Sequence, residues 1–259
     1  MLQTPYDEVI DHVIAEGYHN HRREDHSDLI SDGLVADLLQ TCDALRRDVE
    51  EGVVKYWVNV RAPGGRNRFL DLFIGEPDPV TGAADFRGLR IGVEHKSVLT
   101  AHRNKTNRYD DLMRTLNAIH PDRPQAVLAA TVLVGTAPRV LNIPDQVHKV
   151  RQADFETAIL PRLSRGDHGL WEEFAWAISR NRADDPEKTI ALFRSIPTRN
   201  PGHTHEFGYD CLQIVPVFID NVESPRVERD NPFGLDVEAE YRQLLHVLCA
   251  AYTARWHLR

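Results

Sequence analysis

Lysine is nearly missing from this chain: only five of its 31 basic residues are lysines and the other 26 are arginines. A lysine inside a motif therefore stands out. Positive charge is short overall as well, because 39 acids leave a formal charge of −8. There is no global basic field of the kind many nucleic-acid binders carry, which excludes capture by bulk charge but not a local basic track. The three cysteines, Cys42, Cys211 and Cys249, lie far apart without CxxC spacing. Neither a disulfide framework nor a zinc ribbon is indicated, and a reducing cytoplasm is the expected setting. No run of about 18 apolar residues occurs, and the first residues lack a basic stretch followed by an apolar one, so neither a membrane span nor a secretory leader is expected. A G-x-S-x-G elbow is absent and no cysteine has an arguable histidine partner, which leaves serine or cysteine hydrolase chemistry without support.

What the chain does have is an ordinary globular composition, 42% apolar and 27% charged over 259 residues, enough to bury a core as one domain, 1–259. Residues 1–26 are polar and rich in histidine (His12, His19, His21, His26), and read as a solvated, loosely helical lead-in. From Ser27 to Glu51 the apolar residues Ile30, Leu34, Leu38, Cys42, Leu45 and Val49 recur at three- and four-residue steps, with Ser27 as a cap and Gly52 just past the end: a helix. Residues 53–60 alternate as a strand, Ala62-Pro63-Gly64-Gly65 forms a tight connection, and 68–74 and 89–98 are two further strands around a loop from Gly75 to Gly88. Residues 100–120 return to helical period, with Tyr109, Leu112, Met113, Leu116 and Ile119 on one face and Pro121 as the stop. The run 126–134 is a buried strand reached over a helix and hence parallel to a neighbour. The order over about 27–135 is αβββαβ. Beyond it, the pattern gives helices at 152–164, 169–180 (Trp171, Phe174, Ala175 and Ile178 on one face), 187–195 and 237–256, a Pro/Gly/His loop at 196–208 and a strand at 209–219, all additions to the core.

The chemistry concentrates between Arg68 and Ser97. Residues two apart on a strand share a face, so Glu94 and Lys96 stand together with Arg90 and Gly92, while Leu89, Ile91, Val93 and His95 face the other way. If the two strands pair antiparallel, Asp71 and Glu94 lie opposite each other about a midpoint of roughly 82.5, next to Gly82. Asp78 falls in the turn itself, which makes Asp71 the partner acid. Two carboxylates on adjacent strands form a hard oxygen site suited to Mg²⁺, with Mn²⁺ a substitute. An attached lysine adds a cation that can position or deprotonate a water, or balance a phosphoryl transition state. The alternative reading of these three charges is a surface salt bridge.

The arrangement Asp71…Glu94-His95-Lys96 within αβββαβ resembles the PD-(D/E)XK nuclease superfamily, the fold of many type II restriction endonucleases. The resemblance covers about residues 27–135. It implies a mixed central sheet flanked by helices, divalent metal held by Asp71 and Glu94 with the His95 main-chain carbonyl as a further ligand, and a catalytic Lys96. Members often carry another acid on the first helix, and Asp28 is the candidate here, as Asp32 points further from the apolar stripe. Leu70 stands where the family often has proline. At the start of the helix after the third strand, Arg103, Asn104, Lys105, Asn107 and Arg108 form the expected DNA-binding track, where phosphates also meet free backbone N–H groups. The implied function is Mg²⁺-dependent DNA cleavage, of the restriction or genome-defence kind, by a homodimer. Two alternatives stay open: a repair or junction-resolving nuclease with the same site, and a non-catalytic nucleic-acid-binding or assembly subunit of the same fold. The motif does not choose between DNA and RNA.

Overall fold

The computed structural model describes residues 3–15, 25–61, 69–99, 102–141, 157, 161–162, 165, 178–220 and 223–258. The Ala62–Gly65 connection and nearly all of the helices expected at 152–164 and 169–180 lie outside these. The last three residues of the second helix, Ile178–Arg180, are instead a short strand. The described elements are α1 (Pro5–Ala15), α2 (Asp25–Thr41), α3 (Asp43–Glu50), β1 (Lys55–Arg61), β2 (Phe69–Pro77), β3 (Ala84–Val98), α4 (Lys105–Ile119), β4 (Val127–Gly135), β5 (Arg139–Leu141), β6 (Ile178–Arg180), α5 (Asp185–Arg194), β7 (Cys211–Phe218), β8 (Arg226–Val227) and α6 (Val237–Trp256).

Six strands form one mixed sheet in the order β1-β2-β3-β4-β7-β8, and β5 pairs with β6 apart from it. β1, β2 and β3 are an antiparallel meander. β4 then runs parallel to β3, reached over α4, and β7 runs parallel to β4. One face of the sheet is covered by α1, α2, α3 and α6, whose Leu34, Leu38, Leu45, Leu244 and Leu248 join Leu72, Ile91 and Val93. The other is covered by α4 and α5, whose Leu112, Leu116, Ile190 and Phe193 join Phe73, Leu128 and Val132. The fold is thus α/β with helices on both sides of a mixed sheet, as expected.

Several local expectations need correction. The described part of the lead-in is not loose: Pro5–Ala15 is a packed helix with Tyr6, Val9, Ile10 and Val13 buried. Pro5 sits at its first position, and Asp7 takes bonds from the Thr4 N–H and hydroxyl at 2.8 and 2.9 Å, which accounts for its start. The single helix expected over 27–51 is two, broken at Cys42, whose backbone is extended (φ −118°, ψ 93°). Cys42 forms a disulfide with Cys249 of α6, Cα–Cα 5.3 Å. Spacing could not show a pair 207 residues apart in sequence, because only the packing of α2–α3 against α6 brings the two together.

The β2–β3 hairpin carries the most consequential change. Leu72 pairs with Val93, Phe73 with Gly92 and Ile74 with Ile91, the register expected for Asp71 opposite Glu94. Gly75 then pairs with Leu89, so Arg90 is one residue too many for the ladder. Such a bulge reverses the sidedness of the strand beyond it. Leu89 lands on the α4 side, and Arg90 crosses to the α3–α6 side, bonding Asp48 at 2.7 Å and the Tyr252 hydroxyl at 2.9 Å. Arg90 therefore does not share a face with Glu94. At the bulge a Cβ on Gly75 would collide with the Gly88 carbonyl, which explains the glycine pair. β3 also begins earlier than expected, at Ala84. The turn is closed by Asp78, whose carboxylate accepts from Val80 N–H (3.0 Å), Thr81 N–H (2.8 Å) and the Thr81 hydroxyl (3.0 Å). Gly82 supplies the positive φ of 68°. Asp78 is thus committed to the turn.

Candidate metal centre at the ends of β2 and β3

Asp71 sits where the β2–β3 ladder ends, one residue before Leu72. Its Oδ2 accepts the His95 backbone N–H at 2.5 Å, a side chain taking over where the ladder stops. Glu94, buried at 6% side-chain exposure, points to the α4 side, where its Oε1 accepts the Thr115 hydroxyl at 2.9 Å. Lys96 follows it on the same face: its Nζ contacts Glu94 Oε2 and lies 3.7 Å from Asp71 Oδ2. Side-chain exposures of 18% for Asp71 and 16% for Lys96 leave this group open to solvent on one side. The structure thus brings Asp71, Glu94 and Lys96 together.

The charges respond to this crowding. Burial, reinforced by the nearby Asp71 charge, pushes the Glu94 carboxyl up from its ordinary value against the pull of Lys96 and Thr115. Burial alone would lower the Lys96 ammonium, but the charges of Glu94 and Asp71 outweigh it and raise it. Lys96 is the counter-ion that makes two close carboxylates tolerable.

His95 faces the opposite way, as expected, and is fully enclosed. Burial holds its imidazole down to about 4, so at neutral pH it carries one ring proton. Thr131 Oγ lies 2.7 Å from Nδ1, and Ser31 Oγ lies 3.1 Å from Nε2. The Ser31 hydroxyl donates to the Asp71 carbonyl at 3.1 Å. With its hydroxyl proton committed there, Ser31 accepts from Nε2–H and Nδ1 accepts from Thr131. A chain of bonds from β4 through β3 to α2 thereby ends on the backbone of Asp71.

Thr115, Ser31 and Thr131 escaped the sequence reading, yet each left a signal. Thr115 lies on the apolar stripe of α4, Ser31 on that of α2, and Thr131 is the lone hydroxyl in the buried strand Val127–Gly135. A polar residue at a core position needs a partner, and here the partners belong to the site.

Asp28 lies one turn before Ser31 on the same side of α2, half-buried. It does not complete a three-ligand group: no cluster of three His, Cys, Asp or Glu placed to hold a metal occurs among the described residues. Of the expected DNA track, Asn104, Asn107 and Arg108 are exposed and Lys105 is half-buried; the Arg103 side chain lies outside the described residues. Arg108 is not wholly available, since it reaches Asp111 at 3.4 Å across an exposed i,i+3 pair, an interaction worth little in water. Arg108 precedes Thr115 by seven helical residues, about 10 Å along the axis, so the track starts roughly two turns from Glu94.

The donor set fits a hard divalent cation. Glu94 and Asp71 offer carboxylate oxygens, the His95 carbonyl lies on the backbone between Glu94 and Lys96, and an ammonium already stands against both carboxylates. Two side-chain ligands match the habit of Mg²⁺, which keeps several waters. Compared with family models, with curated proteins and with solved structures, the chain finds no match.

Proposed function

We propose that this protein is a Mg²⁺-dependent DNA endonuclease of the restriction-endonuclease-like PD-(D/E)XK type, acting in restriction or genome defence. The observation that carries the reading is the convergence of Asp71, Glu94 and Lys96 at one partly open place on the sheet, near the C-terminal end of β3. The βββαβ order after the paired helices α2 and α3, the parallel β3–β4 pair and the register that sets Asp71 against Glu94 support it.

In this reading Asp71 and Glu94, with the His95 carbonyl, hold the cation. Mg²⁺, when held there, would supply charge neutralisation at the phosphodiester and make water easier to deprotonate. Lys96 orients the attacking water and places positive charge where the phosphoryl oxygens gain negative charge. Attack of water on phosphorus forms the new P–O bond as the P–O bond to the leaving deoxyribose oxygen breaks; the water gives up its proton to solvent and the leaving oxygen takes one from it. Lys105, Arg108 and the first turn of α4 hold flanking phosphates. Cutting both strands calls for two copies of the site, hence a homodimer. A cytoplasmic setting accompanies the defence role, and there the Cys42–Cys249 pair would be kept reduced.

The test is incubation with supercoiled plasmid and Mg²⁺. The wild type linearises or nicks it, EDTA stops the reaction, and Lys96→Ala and Glu94→Ala each fall by at least about a thousandfold, the size of losing a group that acts at the transition state. DNA bound but never cut, by a wild type given Mg²⁺ or Mn²⁺, would replace this reading with the non-catalytic subunit. Cleavage of RNA alone would change the substrate, and a preference for branched DNA would move the role to repair.

A further inference from the structure

We infer that Thr115 is a positioning residue that makes Glu94 a one-oxygen ligand, and so sets how tightly the proposed cation is held. The inference rests on the metal-dependent reading above and concerns a helix residue outside the strand motif.

A threonine inside a helix commonly turns its hydroxyl back onto the carbonyl four residues earlier. Thr41 of α2 does so, donating to the Asp37 carbonyl at 2.7 Å. Thr115 instead donates to Glu94 Oε1 at 2.9 Å. Thr115 is buried at 1% and Glu94 at 4% exposure, and the opening to solvent lies on the Asp71–Lys96 side, so water has little access on the α4 side to replace that hydroxyl. Leu112, Leu116 and Ile119 of the same helix are buried in the core on this side of the sheet and fix the helix there. Oε1 is thereby held from the α4 side, and Oε2, already in contact with Lys96 beside Asp71, is the oxygen left to face a cation. Partners that orient a ligating carboxylate typically govern metal affinity or activity by 10–100-fold.

The experiment compares Thr115→Val, which keeps the shape and loses the donor, with Thr115→Ser, which keeps the donor. Mn²⁺ binding is read by calorimetry, and plasmid cleavage in Mg²⁺ is resolved into kcat and KM. Thr115→Val weakens Mn²⁺ binding by about 10-fold or more and lowers kcat comparably, with KM for DNA unchanged, while Thr115→Ser stays close to wild type. The Thr115→Ala and Thr115→Ser pair repeats the comparison should valine disturb the fold. Wild-type Mn²⁺ affinity in both Thr115→Val and Thr115→Ala, or equal loss in Thr115→Ser, overturns the inference while the nuclease reading stands. A wild type that binds no Mn²⁺ removes both.

Discussion

Two groups of buried charge sit at opposite edges of the parallel strands, and they are built on opposite rules. At the N-terminal edge Asp210 is fully enclosed and over-supplied with donors. Arg199 reaches it through Nε and a terminal nitrogen at 3.2 and 2.9 Å, Arg255 through two terminal nitrogens at 2.5 and 3.2 Å, and the Leu128 N–H at 2.9 Å. The spare guanidinium N–H groups are absorbed by carbonyls of Pro124 and Pro201 at 2.8 Å each. Near the C-terminal end of β3 two carboxylates share one ammonium, Glu94 has two partners, and the group opens to solvent. Forked donors saturate a carboxylate and lock it, whereas a lysine is a movable point charge. The first group is saturated, as a structural ion pair needs; the second is left incomplete, as the proposed cation site would need.

The largest effect that would sharpen this contrast is at Asp210. Asp210→Ala leaves two buried guanidinium groups without their carboxylate and should destabilise the protein by about 3–5 kcal/mol, as measured by urea unfolding. A loss below about 1 kcal/mol would erase the distinction. Next comes the disulfide between α2–α3 and α6. Reduction should cost about 2–4 kcal/mol yet leave plasmid cleavage intact, because the bond lies among the helices that stabilise the sheet and not in the site. Loss of cleavage on reduction at a temperature where the fold persists would couple the two regions.

Acid titration separates the two kinds of carboxylate by sign. Burial alone would raise Asp48, but hydrogen bonds from Tyr252 and His257, with Arg90 beside it, hold it below 3.8. A depressed folded pKa stabilises above the unfolded value and is lost as the pH falls through the folded one. Asp48→Asn should therefore flatten the stability curve below about pH 4. Glu94 is shifted the other way, above 4.5, chiefly by burial. Its ionised form is a cost that is present above the folded pKa and relieved as the pH falls through it, so any gain of Glu94→Gln over wild type appears near neutrality and closes in acid. Equal pH profiles for both variants would mean that the two carboxylates respond to the fold alike. The smallest effect is at the start of α4: Lys105→Ala with Arg108→Ala should reduce the salt slope of DNA binding by about two, one for each phosphate contact. An unchanged slope removes those residues from the track.

The strand motif was legible because its information is local. Period-two alternation set Glu94 with Lys96, and the midpoint of the hairpin chose Asp71 over Asp78, which the structure commits to the turn. The crossover helix and the parallel β4 followed from the change of period at residue 100. What escaped needed three dimensions. The bulge that sends Arg90 to Asp48 is a single extra residue with no composition of its own. The Cys42–Cys249 pair depends on how helices from the two ends of the chain pack. The histidine-rich opening hid Tyr6, Val9, Ile10 and Val13 at helical spacing, because the polar residues after them dominated the segment. Ser31, Thr115 and Thr131 were visible as polar residues on apolar stripes, but which acid or ring each one serves could be read only from the packed sheet.

The distinction between a saturated and an open charge group comes down to what Asp71 does for stability. The most direct measurement is the urea-unfolding free energy of Asp71→Asn beside the wild type, in EDTA at neutral pH. The amide keeps an acceptor for the His95 N–H and removes one of two close negative charges, so the variant should be as stable as the wild type or more stable by up to about 1 kcal/mol. A loss of about 3 kcal/mol or more, the size expected for breaking a buried ion pair, would make Asp71, Glu94 and Lys96 a structural salt bridge and contradict the account.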